Sequence, residues 1–183
     1  MLRITSGKYR GRRIFSDKLL SARPAMSIIR ESIFNIILSR MSIQGCKVLD
    51  LFCGSGSLSF EALSRGAESA LLVDINRYNL SLVKRTSEYL GVVDNITLMC
   101  CDITRLPVAA DQYDIIFVDP PYTNPTLADI TLNMLIKLNW TKSNSVIVVR
   151  IRKKVAFVCP VGYRVMVERV YGISKVVILQ REP

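Results

Sequence analysis

Residues 47 to 57 read Lys-Val-Leu-Asp-Leu-Phe-Cys-Gly-Ser-Gly-Ser. An apolar run of strand length, Lys47 to Phe52, breaks at two glycines one residue apart, Gly54 and Gly56, and a helix candidate follows from Ser57 to Arg65. Glycine permits a sharp turn and lets a ligand come close to the backbone where a Cβ would collide. The helix start behind it offers N–H donors without intrahelical partners. The stretch therefore predicts a small-molecule site at the carboxyl edge of a parallel sheet, where ligands of α/β proteins bind.

Working outward, the same grammar repeats. Ala70 to Asp74, Ile96 to Cys101, Asp114 to Val118 and Ser145 to Ile151 are continuous Val, Ile and Leu runs, the composition of strands covered on both faces. Helix candidates at Asn76 to Leu90 and Thr126 to Leu138 separate them. Strand alternating with helix predicts a doubly wound, mostly parallel α/β sheet with right-handed crossovers. Two more strands, Val155 to Cys159 and Lys175 to Leu179, follow without a helix between them, so the sheet is expected to close in an antiparallel C-terminal hairpin. Ahead of the core, Ser27 to Arg40 carries Ile29, Ile33, Ile36 and Ile37 near one helical face. Residues 1–22 read as a basic arm with one hairpin punctuated by Gly7 and Gly11.

A lone G-x-G serves dehydrogenases as well. The dinucleotide fingerprint asks for a third small residue three positions on, which here is Ser59, and Asp50 stands just before the loop. An acidic residue ahead of G-x-G, with Asp74 ending the second strand, is the arrangement of class I, Rossmann-like methyltransferases. Asp74 has the reach and charge to accept both ribose hydroxyls of a nucleoside. Asp102 ends the third strand in the same manner.

The fourth strand ends in Asp119-Pro120-Pro121-Tyr122. Two prolines fix φ and remove two N–H donors, leaving stiff backbone whose carbonyls are available to a ligand. The exocyclic amine of a base is a poor nucleophile because its lone pair is delocalised into the ring. Hydrogen bonds from that amine to the Asp119 carboxylate and the Pro120 carbonyl would draw the nitrogen toward tetrahedral geometry. Tyr122 offers a flat face for base stacking. A cysteine nucleophile, the alternative for carbon methylation, finds only Cys159 beside a proline, and it lies beyond the fifth strand. Buried structural roles are expected for all five cysteines.

The chain has 183 residues, half of them apolar, enough for one domain with a continuous core and short for two. It is expected to form a single domain, with residues 1–45 as basic arm and leading helix and 46–183 as the α/β core. No apolar run reaches the roughly 18 residues of a membrane span, and the apolar centre of a signal peptide is missing. Five cysteines without a C-x-x-C pair, and no histidine, argue against a disulfide framework or a metal site and for the cytoplasm. The net charge of +10 is divided unevenly: +7 over residues 1–45, −3 over 46–149 and +6 over 150–183. Basic ends of this kind attract phosphate backbones without reading sequence.

Nearly the whole chain resembles the bacterial RsmD-type methyltransferases, which modify the N2 amino group of a guanine in 16S ribosomal RNA. The segments that carry the resemblance are RITSGKYRGRRI (3–14), Arg23-Pro24, RESIFNII (30–37), DLFCGSGSLSFEALSRGA (50–67), DIIFVDPPY (114–122) and ERVYGISKVVIL (168–179). The resemblance implies S-adenosylmethionine as cofactor, S-adenosylhomocysteine as product, and cofactor contacts at Asp50, Phe52, Gly54, Gly56, Asp74 and Asp102. It implies that Asp119, Pro120, Pro121 and Tyr122 hold the guanine, and that Lys8, Tyr9, Arg10, Arg12, Arg13 and Arg23 meet RNA. The substrate expected is 16S RNA within a partly or fully assembled 30S particle, with the target base accessible or flipped. Two segments depart from the family pattern: Ala25 to Ile28 after the Arg-Pro pair, and Arg150 where the fifth strand commonly ends in an acidic residue. Two other readings stand beside this one, a DNA adenine-N6 methyltransferase and a non-catalytic nucleotide- or RNA-binding Rossmann module.

Overall fold

The computed structural model describes residues 2–17 and 24–183. Its helices are α1 (Pro24–Leu38), α2 (Ser57–Ser64), α3 (Arg77–Leu90) and α4 (Leu127–Lys137). Its strands are β1 (Lys47–Leu51), β2 (Ser69–Asp74), β3 (Ile96–Cys100), β4 (Tyr113–Val118), β5 (Thr141–Arg152), β6 (Tyr163–Tyr171) and β7 (Ser174–Arg181). They form one sheet in the order β3-β2-β1-β4-β5-β7-β6. The first five strands are parallel, and β7 runs antiparallel to both its neighbours. This is the class I methyltransferase fold expected from the sequence.

Strand alternation divides the core into two layers. Val48, Leu72, Ile115, Phe117, Val148 and Ile178 face α1, α2 and α3 and pack with Phe34, Phe60 and Val83. Leu49, Val73, Ile116, Val118, Ile147 and Val177 face the other way, onto Leu132, Leu135 and Trp140. Burial on both faces is why these strands read as uninterrupted apolar runs. Local signals end the helices where expected: the Asn76 side chain accepts from Tyr78 N at the start of α3, and Gly91 closes it at φ 70°.

One strand was misplaced by the sequence reading. Val155 to Cys159 lies outside the sheet, and its side chains at Val155, Phe157 and Cys159 pack against the Trp140 layer as irregular chain. The hairpin is built instead from β6 and β7, joined across Gly172 at φ 57°. The physical reason is edge position. β6 is covered on one side only and carries Arg164, Glu168 and Arg169 among its apolar residues, so it lacks an apolar run. A second correction concerns the cysteines: Cys46 and Cys53 are buried, but Cys100 is exposed at the end of β3.

Residues 2–17 of the N-terminal arm form a hairpin, and the rest of the arm lies outside the described residues. Ile4 N donates to Arg12 O (3.0 Å), Gly11 N to Ile4 O (2.8 Å) and Ile14 N to Leu2 O (3.0 Å), and Ile4 and Ile14 enter the core. It docks on the end of α2, where Lys8 N donates to Ser64 O (2.7 Å) and Tyr9 N to Ser64 Oγ (2.9 Å). The approach is close enough that a Cβ on Gly7 would lie 1.9 Å from Ser64 O. Beneath it, fully buried Glu61 accepts from Thr5 N (2.7 Å), Arg30 Nε (2.9 Å) and Arg65, which ties arm, α1 and α2 to one carboxylate.

Candidate functional site

Parallel strands bring their carboxyl ends to one edge, and four of them end in acidic residues or lead into one. In spatial order, Asp102 follows β3, Asp74 ends β2, Asp50 lies near the end of β1 and Asp119 follows β4. The sequence spreads these four over 70 positions, and the sheet order makes them neighbours.

The glycine loop is held by Asp74. Its Oδ2 accepts from Gly54 N (2.8 Å) and Asn79 Nδ2 (3.0 Å), and its Oδ1 accepts from Asn76 N (2.8 Å). A carboxylate offers about four lone-pair positions, and these three bonds leave one of them open. Gly54 and Gly56 differ in purpose. A Cβ on Gly54 would meet nothing within 4 Å, whereas one on Gly56 would come within 2.8 Å of Leu72 Cδ2 and 3.1 Å of Phe60 Cε2. Gly54 keeps the cradle open, and Gly56 lets α2 pack onto the sheet. Phe52 takes a left-handed φ of 63° to start the loop, a conformation that costs a non-glycine residue about 1 to 2 kcal/mol. Behind the loop, Asp50 is buried and accepts from Ser59 Oγ (2.8 Å). Burial pushes its carboxyl up to about 7, against the hydrogen bond from Ser59 and with the help of the Asp119 and Asp74 charges. Ser59, the residue at the third small position of the dinucleotide comparison, is thus the partner of Asp50. Asp102 is exposed and caps the short 3-10 turn Ile103–Arg105, accepting from Thr104 N and Thr104 Oγ1 (both 2.9 Å), bonds that hold its carboxyl below the usual range.

The open Gly54 side, the Asp74 carboxylate and an α2 start whose N–H groups lack a side-chain cap fit a nucleoside cofactor that also carries an anionic carboxylate.

Across from this cradle, the Asp119-Pro120-Pro121-Tyr122 turn leaves β4 with Pro120 buried and Pro121 exposed. Asp119 Oδ1 accepts from Arg150 Nε (2.7 Å), and Oδ2 accepts from Arg150 Nη2. The Tyr122 hydroxyl bonds Ser174 Oγ (2.6 Å), and the Arg152 guanidinium stands 5.6 Å from the centre of the Tyr122 ring. The sequence reading missed Asn79, Arg152 and Ser174, and noted Arg150 only as a departure. Strand register carries the signal: Val118 pairs with Val149, which sets Arg150 beside Asp119.

The arm residues form a separate group. Lys8 lies over Tyr9 (5.3 Å), Arg12 over Tyr89 (5.8 Å), and Arg13 and Arg85 over Phe15 (4.8 and 4.1 Å). Arg10 lies in the turn of the hairpin and is exposed. α2 runs from the carboxyl edge toward the amino edge, so the arm docks about 12 Å from the loops, one length of an eight-residue helix. Arg23 and the side chains of Ala25 and Met26 lie outside the described residues.

The family described as conserved hypothetical protein 95, the RsmD family, matches residues 2–180. The chain belongs to it. A Haemophilus influenzae relative named ribosomal RNA small subunit methyltransferase D is 31% identical over 179 residues, 94% of this chain and 90% of its own. A relative of the same name from Buchnera aphidicola is 37% identical over 146 residues, covering 80% of this chain and 74% of its own. Among solved structures, the Escherichia coli yhhF protein superposes with a TM-score of 0.86 at 28% identity, covering 100% of this chain and 98% of its own. Membership makes the chain a class I methyltransferase with S-adenosylmethionine as its cofactor.

Proposed function

We propose that this enzyme methylates the exocyclic N2 amine of a guanine in 16S ribosomal RNA, within a partly or fully assembled 30S particle in the cytoplasm. The observation that carries the reading is the adjacency of the two loops: the Asp119 to Tyr122 turn follows β4, and β4 pairs directly with β1, which leads into Gly54. The small-subunit names of the relatives support ribosomal RNA as the substrate class.

When bound, S-adenosylmethionine supplies an electrophilic methyl group on a sulfonium. Asp74 and the glycine loop hold and orient it, with Asp50 behind and Asp102 on the β3 side. Asp119 and the Pro120 carbonyl accept the two amine hydrogens and so turn the nitrogen lone pair toward the cofactor, and Tyr122 gives the base a surface to stack on. Pro121 keeps the turn rigid. Alignment of this kind supplies about 7 to 11 kcal/mol of the barrier without a covalent intermediate. Once the nitrogen carries its new methyl, its surplus proton passes to solvent.

Lys8, Tyr9, Arg10, Arg12, Arg13 and Arg23 are assigned to RNA. A base in the site and a backbone on the arm, about 12 Å away, span more than one nucleotide, which favours a polymer as substrate over a free nucleotide. Mass-spectrometric mapping of ribosomal RNA, after incubation of the enzyme with unmodified 30S particles, tests the proposal. N2-methylguanosine at one 16S position is the expected result, and methyl transfer to adenine in duplex DNA alone would replace this reading with the adenine-N6 one. Replacing Arg10, Arg12 and Arg13 together with Ala should lower the slope of log affinity against log salt by about 2, since each phosphate contact contributes roughly 0.7 to 0.9. An unchanged slope removes the arm from the RNA site.

A further inference from the structure

The Asp119 carboxylate is engaged from outside its own loop. Arg150 Nε and Nη2 meet its two oxygens one to one, the side-on form of a bidentate guanidinium–carboxylate pair. The two side chains are 18% and 21% exposed, so water screens the pair only in part. Burial works against the charge on Arg150, and the Asp119 carboxylate more than offsets it, holding the guanidinium above its ordinary range. The anchor is rigid: Val149 is buried and bonded within the sheet to both β4 and β7.

This geometry has a consequence for the amine. A bidentate arginine lies in the carboxylate plane and occupies one lone pair on each oxygen. It fixes the carboxylate plane and leaves the outer lone pairs as the only acceptors for a substrate N–H. An aspartate without such a partner rotates about χ2, whose profile is broad. With the Pro120 carbonyl fixed by proline φ, a fixed Asp119 gives two acceptors at a constant spacing, which a planar amine has to match.

We propose that Arg150 is a positioning residue for methyl transfer, acting through Asp119 by holding its carboxylate in the single orientation that accepts the substrate amine. The inference rests on the amine-binding reading of the Asp119 to Tyr122 turn. It assigns Arg150 no contact with the cofactor or with RNA. Its effect therefore falls on kcat and leaves binding alone.

The test is a cycle of four proteins, wild type, Arg150→Met, Asp119→Asn and the double variant, with Arg150→Lys as a rescue. Each is assayed with radiolabelled cofactor and unmodified 30S particles, and each is titrated with S-adenosylhomocysteine by calorimetry as a check on folding. Arg150→Met should lower kcat by about 100-fold, the scale of a misplacement near 1 Å. KM for the particle and affinity for S-adenosylhomocysteine should stay within about threefold, a margin below 1 kcal/mol. Arg150→Lys, which restores charge and one contact, should recover about tenfold of that loss. In the Asp119→Asn background, Arg150→Met should cost nothing further. The proposal is overturned if kcat is unchanged or rises in Arg150→Met, if the loss appears in KM, or if the fold-loss is equal in both backgrounds. It is overturned too if S-adenosylhomocysteine binding collapses in both Arg150 variants, since that is a folding role. Full activity of Asp119→Asn would overturn the amine reading itself, whereas loss in Asp119→Asn alone overturns only the role of Arg150.

Discussion

Asp74 and Asp119 stand on the same sheet edge, two strands apart, and their carboxylates are held in opposite ways. Asp74 takes its three hydrogen bonds from near at hand: the amide of Asn76, the side chain of Asn79 and the backbone of Gly54 in the adjoining loop. Asp50 is likewise satisfied by Ser59, nine residues on. Asp119 is held by a guanidinium 31 residues away, and Tyr122 in the same turn by a hydroxyl 52 residues away. The proposed cofactor half is drawn from consecutive elements, β1 to β3 with α2 and the start of α3, whereas the proposed amine half needs β4, β5 and β7 in register. A cradle of local bonds belongs with a cofactor of fixed shape, whereas a turn clamped across three strands can be retuned by substitutions outside the motif.

The largest expected break in the cofactor half comes from Asp74→Ala. It leaves the Gly54 and Asn76 amides without their acceptor and removes the carboxylate proposed for the ribose. Hydrogen bonds to a charged group contribute about 1.5 to 3 kcal/mol, so S-adenosylhomocysteine should bind about 100-fold more weakly by calorimetry. Affinity within threefold of wild type would mean that the glycine loop stands on its own and that the comparison with Asp119 is false.

The same contrast decides what the sequence could show. The parallel strands were legible because burial on both faces leaves an unbroken apolar run, and the places of Gly54, Asp74 and the Asp119 to Tyr122 turn at the sheet edge were legible because each directly follows or ends such a run. β6 was hidden by edge position, which allows Arg164, Glu168 and Arg169 to cut its apolar stretch down to Val165, Met166 and Val167. Arg150 was visible only as an oddity. Its partner is fixed by the pairing of Val118 with Val149, and no local pattern encodes that register. Ser59 drew notice only as a position in the dinucleotide comparison, and its hydroxyl bond to Asp50, nine residues back, is a tertiary contact that this spacing does not encode.

A middle-sized effect separates the halves by pH. Asp50 has a carboxyl near 7 in the folded protein against 3.8 as its ordinary value. Between these two values the folded chain binds a proton that the unfolded chain has released. Stability from this group is therefore present at low pH and is lost as pH rises through the window, at up to about 1.4 kcal/mol per pH unit. Asp50→Asn has no such proton. From pH 5 to pH 7, wild type should lose about 2 kcal/mol relative to the variant in urea unfolding. Parallel curves would show that Asp50 is ionised in the folded state across the range, and with it that its burial is relieved by a partner beyond Ser59.

The smallest expected effect probes the amine half without touching its acceptors. Tyr122→Phe keeps the ring for base stacking and deletes one hydrogen bond, the one between its hydroxyl and Ser174 Oγ at 2.6 Å. A neutral bond of this kind contributes about 1 kcal/mol net, so kcat/KM on 30S particles should fall about fivefold. Ser174→Ala should produce the same loss, and the double variant no more than either alone, because one bond is removed in all three. A fall near 100-fold in Tyr122→Phe, with Ser174→Ala close to wild type, would place the hydroxyl on the substrate and not on the strand. The amine half would then rely on direct contact in place of support from β7, and its cross-strand hold would come from β5, through Arg150 on Asp119 and Arg152 on the Tyr122 ring.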